Sequence, residues 1–356
     1  MNCSAVLVAP GKIEYRTEPV RPLRSGEVLV EISCAGVCGT DLAISSGEYA
    51  VPLPIVLGHE YTGRVVEVPK GSPFGHLMGC QVAGEINNTC VAYGRKRLCE
   101  ACRRGLTNHC MTRTVVGIIR HPGAFARYLI VPGGSLHVLP RGLAPEAAVL
   151  IEPLAAAIRT FELTPVQKGE TVVVLGCGRL GRLVALVASK MGARVMAVGR
   201  SRTHLELIKP FAWKRVCFRT SDRCSLPRGV DSVNAAEELR QRVLDSTRGL
   251  GADIVVEATG ANENLVLAQR LVRPQGTVAM KSTSGVPVKR LDTTLAAVDE
   301  IRFQGSRCGP FGKAIAFMRR YGVPDSSWIT ARFPLDRTAE AIEAAGKEPK
   351  VVIKVS

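Results

Sequence analysis

The chain has 356 residues, 46% hydrophobic and 22% charged, enough for two domains that each bury a core. No apolar stretch approaches the 18 or so residues of a membrane span, and the apolar start is too short for a secretory signal, so the expected setting is the cytoplasm. The formal charge of +16 favours anionic partners such as phosphate-bearing cofactors, and a solvated Arg-rich surface accounts for most of it without any specific nucleic acid. Twelve cysteines without a secretion signal read as metal ligands or core residues rather than disulfides.

The first 150 residues read as short strands separated by Gly and Pro. Glu27–Ile32 alternates at period two, and Gly63–Val68 does so nearly as well, which predicts a barrel-like β domain. Two groups of metal-binding residue types lie within this part. Cys38, with Gly39, Thr40 and Asp41 after it, and Gly58-His59-Glu60 supply a thiolate, an imidazole and a carboxylate. Glu152 adds another carboxylate at the domain junction, so an open zinc site with room for substrate or water is expected. Asp41 is placed to orient a ligand imidazole. Cys90, Cys99, Cys102 and Cys110 have the composition of a closed structural site, four thiolates around one zinc. The run Arg95-Lys96-Arg97 offsets the charge of such a centre.

A helix begins near Leu154, with Pro153 at its start. Thr171–Leu175 is a continuous apolar run, as in a parallel strand buried on both faces. Helical periodicity follows from Arg179 to Met191, then strands at 194–198, 253–257 and 276–280, a doubly wound α/β pattern. Gly176-Cys177-Gly178-Arg179-Leu180-Gly181 joins the first strand to the first helix, the setting in which a GxGxxG turn holds a pyrophosphate at a helix N-terminus. Where NAD sites carry an acidic residue for the ribose hydroxyls, this chain has Gly199-Arg200-Ser201-Arg202. Two guanidiniums and a hydroxyl suit a 2′-phosphate, so NADP(H) is expected over NAD(H). From residue 297 the sequence returns to short β-like pieces, ending in the strand 350–355. The expected domains are 1–152 with 297–356, and 153–296.

These residues resemble the zinc-containing medium-chain dehydrogenase/reductase family, near its alcohol, sorbitol and threonine dehydrogenase-like members. The resemblance runs through Gly26–Val30, Gly36–Asp41, Gly58–Gly63, the cysteine cluster, Glu152–Ala155, the GxGxxG turn and Glu257–Gly260. It implies a GroES-like β-barrel catalytic domain holding two zincs per chain, with a Rossmann doubly wound parallel sheet inserted before the C-terminal return. It further implies a catalytic zinc on Cys38, His59 and Glu152, with Glu60 able to exchange onto it. Thr40 matches the position that takes the substrate proton, and Lys350 a basic position near the cofactor's phosphates. The activity implied is hydride transfer between an alcohol or polyol, or the matching carbonyl, and a nicotinamide, by a homodimer or homotetramer. The chain departs from the family in two places. Cys90 and Cys99 have eight residues between them where two are usual, and Ala43 replaces a histidine that relays the proton outward in several relatives. A zinc-independent enone or quinone reductase on the same fold is the nearest alternative, but relatives of that type lack the metal ligands. A zinc-stabilised nucleic-acid or protein-binding module is a further alternative, and leaves His59, Glu152 and the glycine turn unexplained.

Overall fold

The computed structural model describes residues 1–218, 230–233, 235–261, 263–282 and 287–355. The chain divides into two compact units, Met1–Glu152 with Phe311–Ser356, and Pro153–Pro310.

The first unit is built on a seven-stranded sheet whose central member is the long strand Glu27–Gly36. Val28, Val30 and Ile32 alternate inward with no exposure, which is why this segment holds the middle of the sheet. It pairs antiparallel with Glu60–Glu67, with Tyr128–Pro132 and with the C-terminal strand Val351–Lys354. Register shifts between Leu29 and Val30 and between Ile32 and Cys34 mark bulges, which bend the strand so that different stretches of it serve different partners. A separate three-stranded sheet is formed by Lys12–Glu18, Asn2–Ala9 and Ile55–Val56. The C-terminal return is more helical than the sequence suggests. Phe311–Tyr321 and Thr338–Ala345 are α-helices, and their short apolar repeats belong to one helix face rather than to strands.

Among the described residues the second unit is built on a seven-stranded parallel sheet. Its order is Val230–Val233, Lys214–Phe218, Arg194–Gly199, Thr171–Leu175, Ala252–Glu257, Val272–Met280 and Arg302–Gly305. The order reverses at Thr171–Leu175, between the first strand's two neighbours, and that switch point is where an open α/β sheet binds ligands at its carboxyl edge. Val172, Val173 and Val174 have no exposure, and the helix Arg179–Lys190 buries Leu183 through Ala188. The first helix of this region is Ile151–Leu163 and takes in Pro153 within its first turn, where a missing N–H costs nothing.

One boundary differs from the sequence expectation. Arg302–Gly305 pairs parallel with Val272–Met280, so the second unit continues to Pro310 rather than ending at 296. An edge strand needs only one buried flank, and Arg-Phe-Gln-Gly lacks the apolar run that marks the central strands.

Candidate functional site

Cys38 and the Gly-His-Glu block come together at the start of a helix. Cys38 is the N-cap of Gly39–Ser46, and its backbone N–H donates to Asp41 Oδ2 at 2.8 Å. The other oxygen of Asp41 accepts from the Gly58 N–H at 3.2 Å. One fully buried carboxylate thus ties the two motifs together across 17 residues. Gly58 has φ +92, and a Cβ there would lie 2.5 Å from the Phe125 ring, so glycine alone lets the chain turn His59 inward.

Ligand atoms of Cys38, His59 and Glu60 all lie within 4.8 Å of one another. His59 is 3% exposed, and its Nδ1 is 3.4 Å from Asp41 Oδ1, close enough for electrostatic attraction but outside hydrogen-bond geometry. Burial pushes the imidazole down, yet the Asp41 carboxylate and the Cys38 sulfur act harder in the other direction and hold it well above the ordinary histidine range. The same negative groups would attract a metal cation. Glu60 is 2% exposed and forms a buried ion pair through Oε2 with Lys350, whose ammonium also donates to the Val37 carbonyl at 3.4 Å. With Cys38 as thiolate, three negative groups against one ammonium leave two negative charges, which a divalent cation balances. The donor set therefore fits zinc.

Thr40 Oγ1 lies 3.9 Å from Cys38 Sγ, half-buried on the same turn. Glu152 sits half-buried in the first turn of Ile151–Leu163 and is not a member of the cluster of Cys38, His59 and Glu60. Lys350, expected near the cofactor's phosphates, has its ammonium on Glu60. The sequence carries a signal for that pairing: a lysine opening the buried run Val351-Val352-Ile353 needs a carboxylate, but nothing in the sequence says which one.

The second cluster is formed by Cys90, Cys99, Cys102 and Cys110. Sγ–Sγ separations are 3.3 Å for Cys90–Cys110, 3.8 Å for Cys90–Cys102 and 3.7 Å for Cys99–Cys110. A zinc tetrahedron with Zn–S near 2.3 Å has S–S edges of about 3.8 Å, whereas a disulfide would bring two sulfurs to about 2.05 Å. All eleven described cysteines are free thiols. Backbone N–H groups already point at the sulfurs, Cys90 N to Cys110 Sγ at 3.5 Å and Met111 N to Cys99 Sγ at 3.4 Å. Burial alone would raise the Cys110 thiol, but the Cys90 N–H and the Thr112 hydroxyl outweigh it and bring it down to about 6, while burial and neighbouring sulfurs push Cys102 up to about 12. Thr112, which no sequence motif marks, lies 3.6 Å from Cys110 and 3.8 Å from Cys90 through Oγ1. The eight residues between Cys90 and Cys99 close as a turn, with Arg95 N donating to the Cys90 carbonyl at 3.0 Å. The unusual spacing is absorbed there, because zinc fixes where thiolates end and not the path between them.

In the second unit, Gly176 follows the strand Thr171–Leu175 and Gly178 caps the helix Arg179–Lys190, whose first turn also includes Leu180 and Gly181. A Cβ on Gly181 would collide with the Gly176 carbonyl, so the close strand–helix packing requires glycine. Gly199 ends its strand buried, followed by exposed Arg200, Ser201 and exposed Arg202. Ser201 Oγ accepts from the His204 N–H at 3.4 Å, capping the next helix while keeping its own proton to donate. Burial and then the charges of Arg182 and Arg179 push His204 down.

Known proteins share both halves. Residues 24–141 match the alcohol dehydrogenase GroES-like domain and residues 180–320 the zinc-binding dehydrogenase domain. D-xylulose reductase A of Aspergillus oryzae is 32% identical over 283 residues, 78% of this chain and 74% of that protein. The chain belongs to the zinc-containing medium-chain dehydrogenase family. The sorbitol dehydrogenase of Halalkalibacterium halodurans is 29% identical over 92% of this chain and 91% of its own. A protein assigned as a zinc-binding dehydrogenase, from Sinorhizobium meliloti and bound to NADP, superposes with a TM-score of 0.83 at 26% identity, covering 100% of this chain and 99% of the other. The dehydrogenase thus has the GroES-like and Rossmann-type architecture and is an alcohol dehydrogenase-like oxidoreductase that uses zinc and a nicotinamide cofactor. Among the described residues no helix is long and apolar enough to cross a membrane.

Proposed function

We propose that the dehydrogenase interconverts a polyol or secondary alcohol and its carbonyl with NADP(H), using a catalytic zinc at Cys38 and His59 and a structural zinc on the four clustered cysteines. The observation that carries this reading is the convergence of Cys38, His59 and Glu60 on one buried, net-negative point. Likeness to sorbitol dehydrogenase and D-xylulose reductase supports a polyol.

A zinc held by Cys38 and His59 would supply a Lewis acid for the substrate oxygen. Asp41 fixes the approach of Cys38 and Gly58 and faces His59, so the ligands are set before substrate arrives. Glu152, the last residue of the first unit's main segment, would complete the ligands with Cys38 and His59, and Glu60, held by Lys350, would be able to exchange onto the metal. The Thr40 hydroxyl takes the substrate proton, and with Ala43 nearby the onward path runs through solvent.

The glycine turn and the helix N-terminus at Gly178 bind the pyrophosphate, and Arg200, Ser201 and Arg202 bind the 2′-phosphate. Charge-assisted hydrogen bonds contribute about 1.5–3 kcal/mol each, so NADP+ should bind at least roughly tenfold more tightly than NAD+. Titrating both on the zinc-loaded protein measures this, and equal or better NAD+ binding would remove the 2′-phosphate assignment. Replacing both Arg200 and Arg202 with alanine should weaken NADP+ and leave NAD+ nearly unchanged.

A further inference from the structure

A cavity of about 510 Å³ opens at the amino ends of the second unit's parallel strands, on the edge opposite the glycine turn. Its wall follows the strand order. Glu170 stands just before Thr171–Leu175, Asp253 near the start of Ala252–Glu257, Arg273 near the start of Val272–Met280, and Arg302 opens Arg302–Gly305. The end of the helix Ile151–Leu163 closes one side. An open α/β sheet takes its nucleotide at the carboxyl edge, so a cofactor does not account for this cavity.

Charge is graded along the wall. Asp253 Oδ1 accepts from Arg273 Nε at 2.7 Å, and that pair neutralises the middle. The Glu170 carboxylate accepts from the Gln167 N–H at 2.7 Å and forms no ion pair among the described residues. Arg302 donates to Thr277 Oγ1 at 3.2 Å and to the Gln275 carbonyl at 2.7 Å, both neutral, and it too has no ion pair among the described residues. The two charges stand three strand spacings apart, roughly 14 Å between their chains at about 4.8 Å each. Arg302 is anchored to its neighbouring strand, so each keeps its charge for something lying between them. The last carbonyls of Ile151–Leu163 add partial negative charge to the wall. Thr164, only 5% exposed, also lines the cavity, and its Oγ1 has no hydrogen-bond partner.

We propose that this cavity is a second small-molecule site of the dehydrogenase, built for a linear amino carboxylate whose ammonium lies toward Glu170 and whose carboxylate meets Arg302 and Thr277. The site stands apart from the substrate and cofactor already assigned. A purely anionic ligand would meet repulsion from Glu170, and a purely cationic one from Arg302. A ligand with both ends satisfies both groups. Thr277 Oγ1 accepts from Arg302 and keeps its own proton to donate to the carboxylate. Leu163 and Phe303 give the wall apolar surface for the methylenes that hold the two charges apart.

The test is calorimetry on the zinc-loaded, full-length protein with ε-aminocaproate as the probe, and with caproate and hexylamine as its two halves. ε-Aminocaproate should bind with a Kd of about 1 mM or tighter, and each half at least roughly tenfold more weakly. Glu170→Gln and Arg302→Gln should each weaken ε-aminocaproate by a similar factor, whereas Arg302→Lys, which keeps the charge, should retain most of the binding. Thermal melting checks that the variants fold, and the three probes on the wild type decide the matter even where one does not. Caproate binding as tightly as ε-aminocaproate would reduce the cavity to an anion subsite and overturn the inference. Absence of heat from all three probes, or undiminished binding in both glutamine variants, would overturn it as well. Titration with NADPH reports on the opposite edge of the sheet, so the cofactor reading stands or falls separately.

Discussion

Cys38→Ala should abolish turnover, lowering kcat at least roughly a thousandfold, while the affinity for NADP(H) stays within about threefold. His59→Ala should do the same. Both residues belong to the Cys38, His59 and Glu60 group of the first unit, and the glycine turn belongs to the second, so on the proposed reading loss of a ligand leaves the pyrophosphate site intact. Steady-state kinetics, fluorescence titration with NADPH and metal analysis check this together: activity lost, binding kept, one zinc per chain missing. The zinc-independent enone reductase reading makes the opposite prediction, since it leaves Cys38 no chemical task. Turnover surviving in metal-free Cys38→Ala would decide for that reading. Asp41→Asn is a finer probe. It keeps an acceptor for one backbone N–H but removes the negative charge facing His59, so zinc affinity should fall by one to two orders of magnitude without loss of the fold.

The gathering of Cys38 with His59 and Glu60, and of the four cysteines, was legible because grouped thiolates and imidazoles are the residue types zinc selects, and because the Gly-His-Glu block and the cysteines are local in sequence. The doubly wound sheet was legible for a similar reason: Thr171–Leu175 and Arg194–Gly199 are buried on both faces and show it in composition. What escaped depended on partners distant in sequence. Lys350 meets Glu60 across 290 residues, and its charge alone could not say whether it served a phosphate or a carboxylate. The strand Arg302–Gly305 was missed because an edge strand carries little apolar signal, and the domain boundary moved with it.

Cys110→Ser should strip the second zinc and unfold the loop around it while leaving the rest of the first unit folded. The buried core of this lobe is little more than Cys90, Cys102 and Cys110 with Leu98 and Cys99 packed against them, so on the proposed reading a zinc would take the place of an apolar core. Structural zinc binding in small domains is worth roughly 10–16 kcal/mol near neutral pH, far more than so few side chains could supply by burial. Cys110 is the informative position because it accepts the Cys90 N–H and touches Thr112. Arg95, Lys96 and Arg97 are exposed on the turn between the first two ligands, which gives a direct readout. Trypsin should cut the Cys110→Ser variant at this run at least tenfold faster than the wild type, and chelation of the wild type should reproduce the effect. Protons compete with zinc for all four thiolates, so acidification should release the metal and open the same bond, with protection regained as the pH is raised in the presence of zinc. Equal cleavage rates in variant and wild type would mean that the loop holds its shape through its turns alone, and that the four sulfurs are gathered for some purpose other than holding the lobe together.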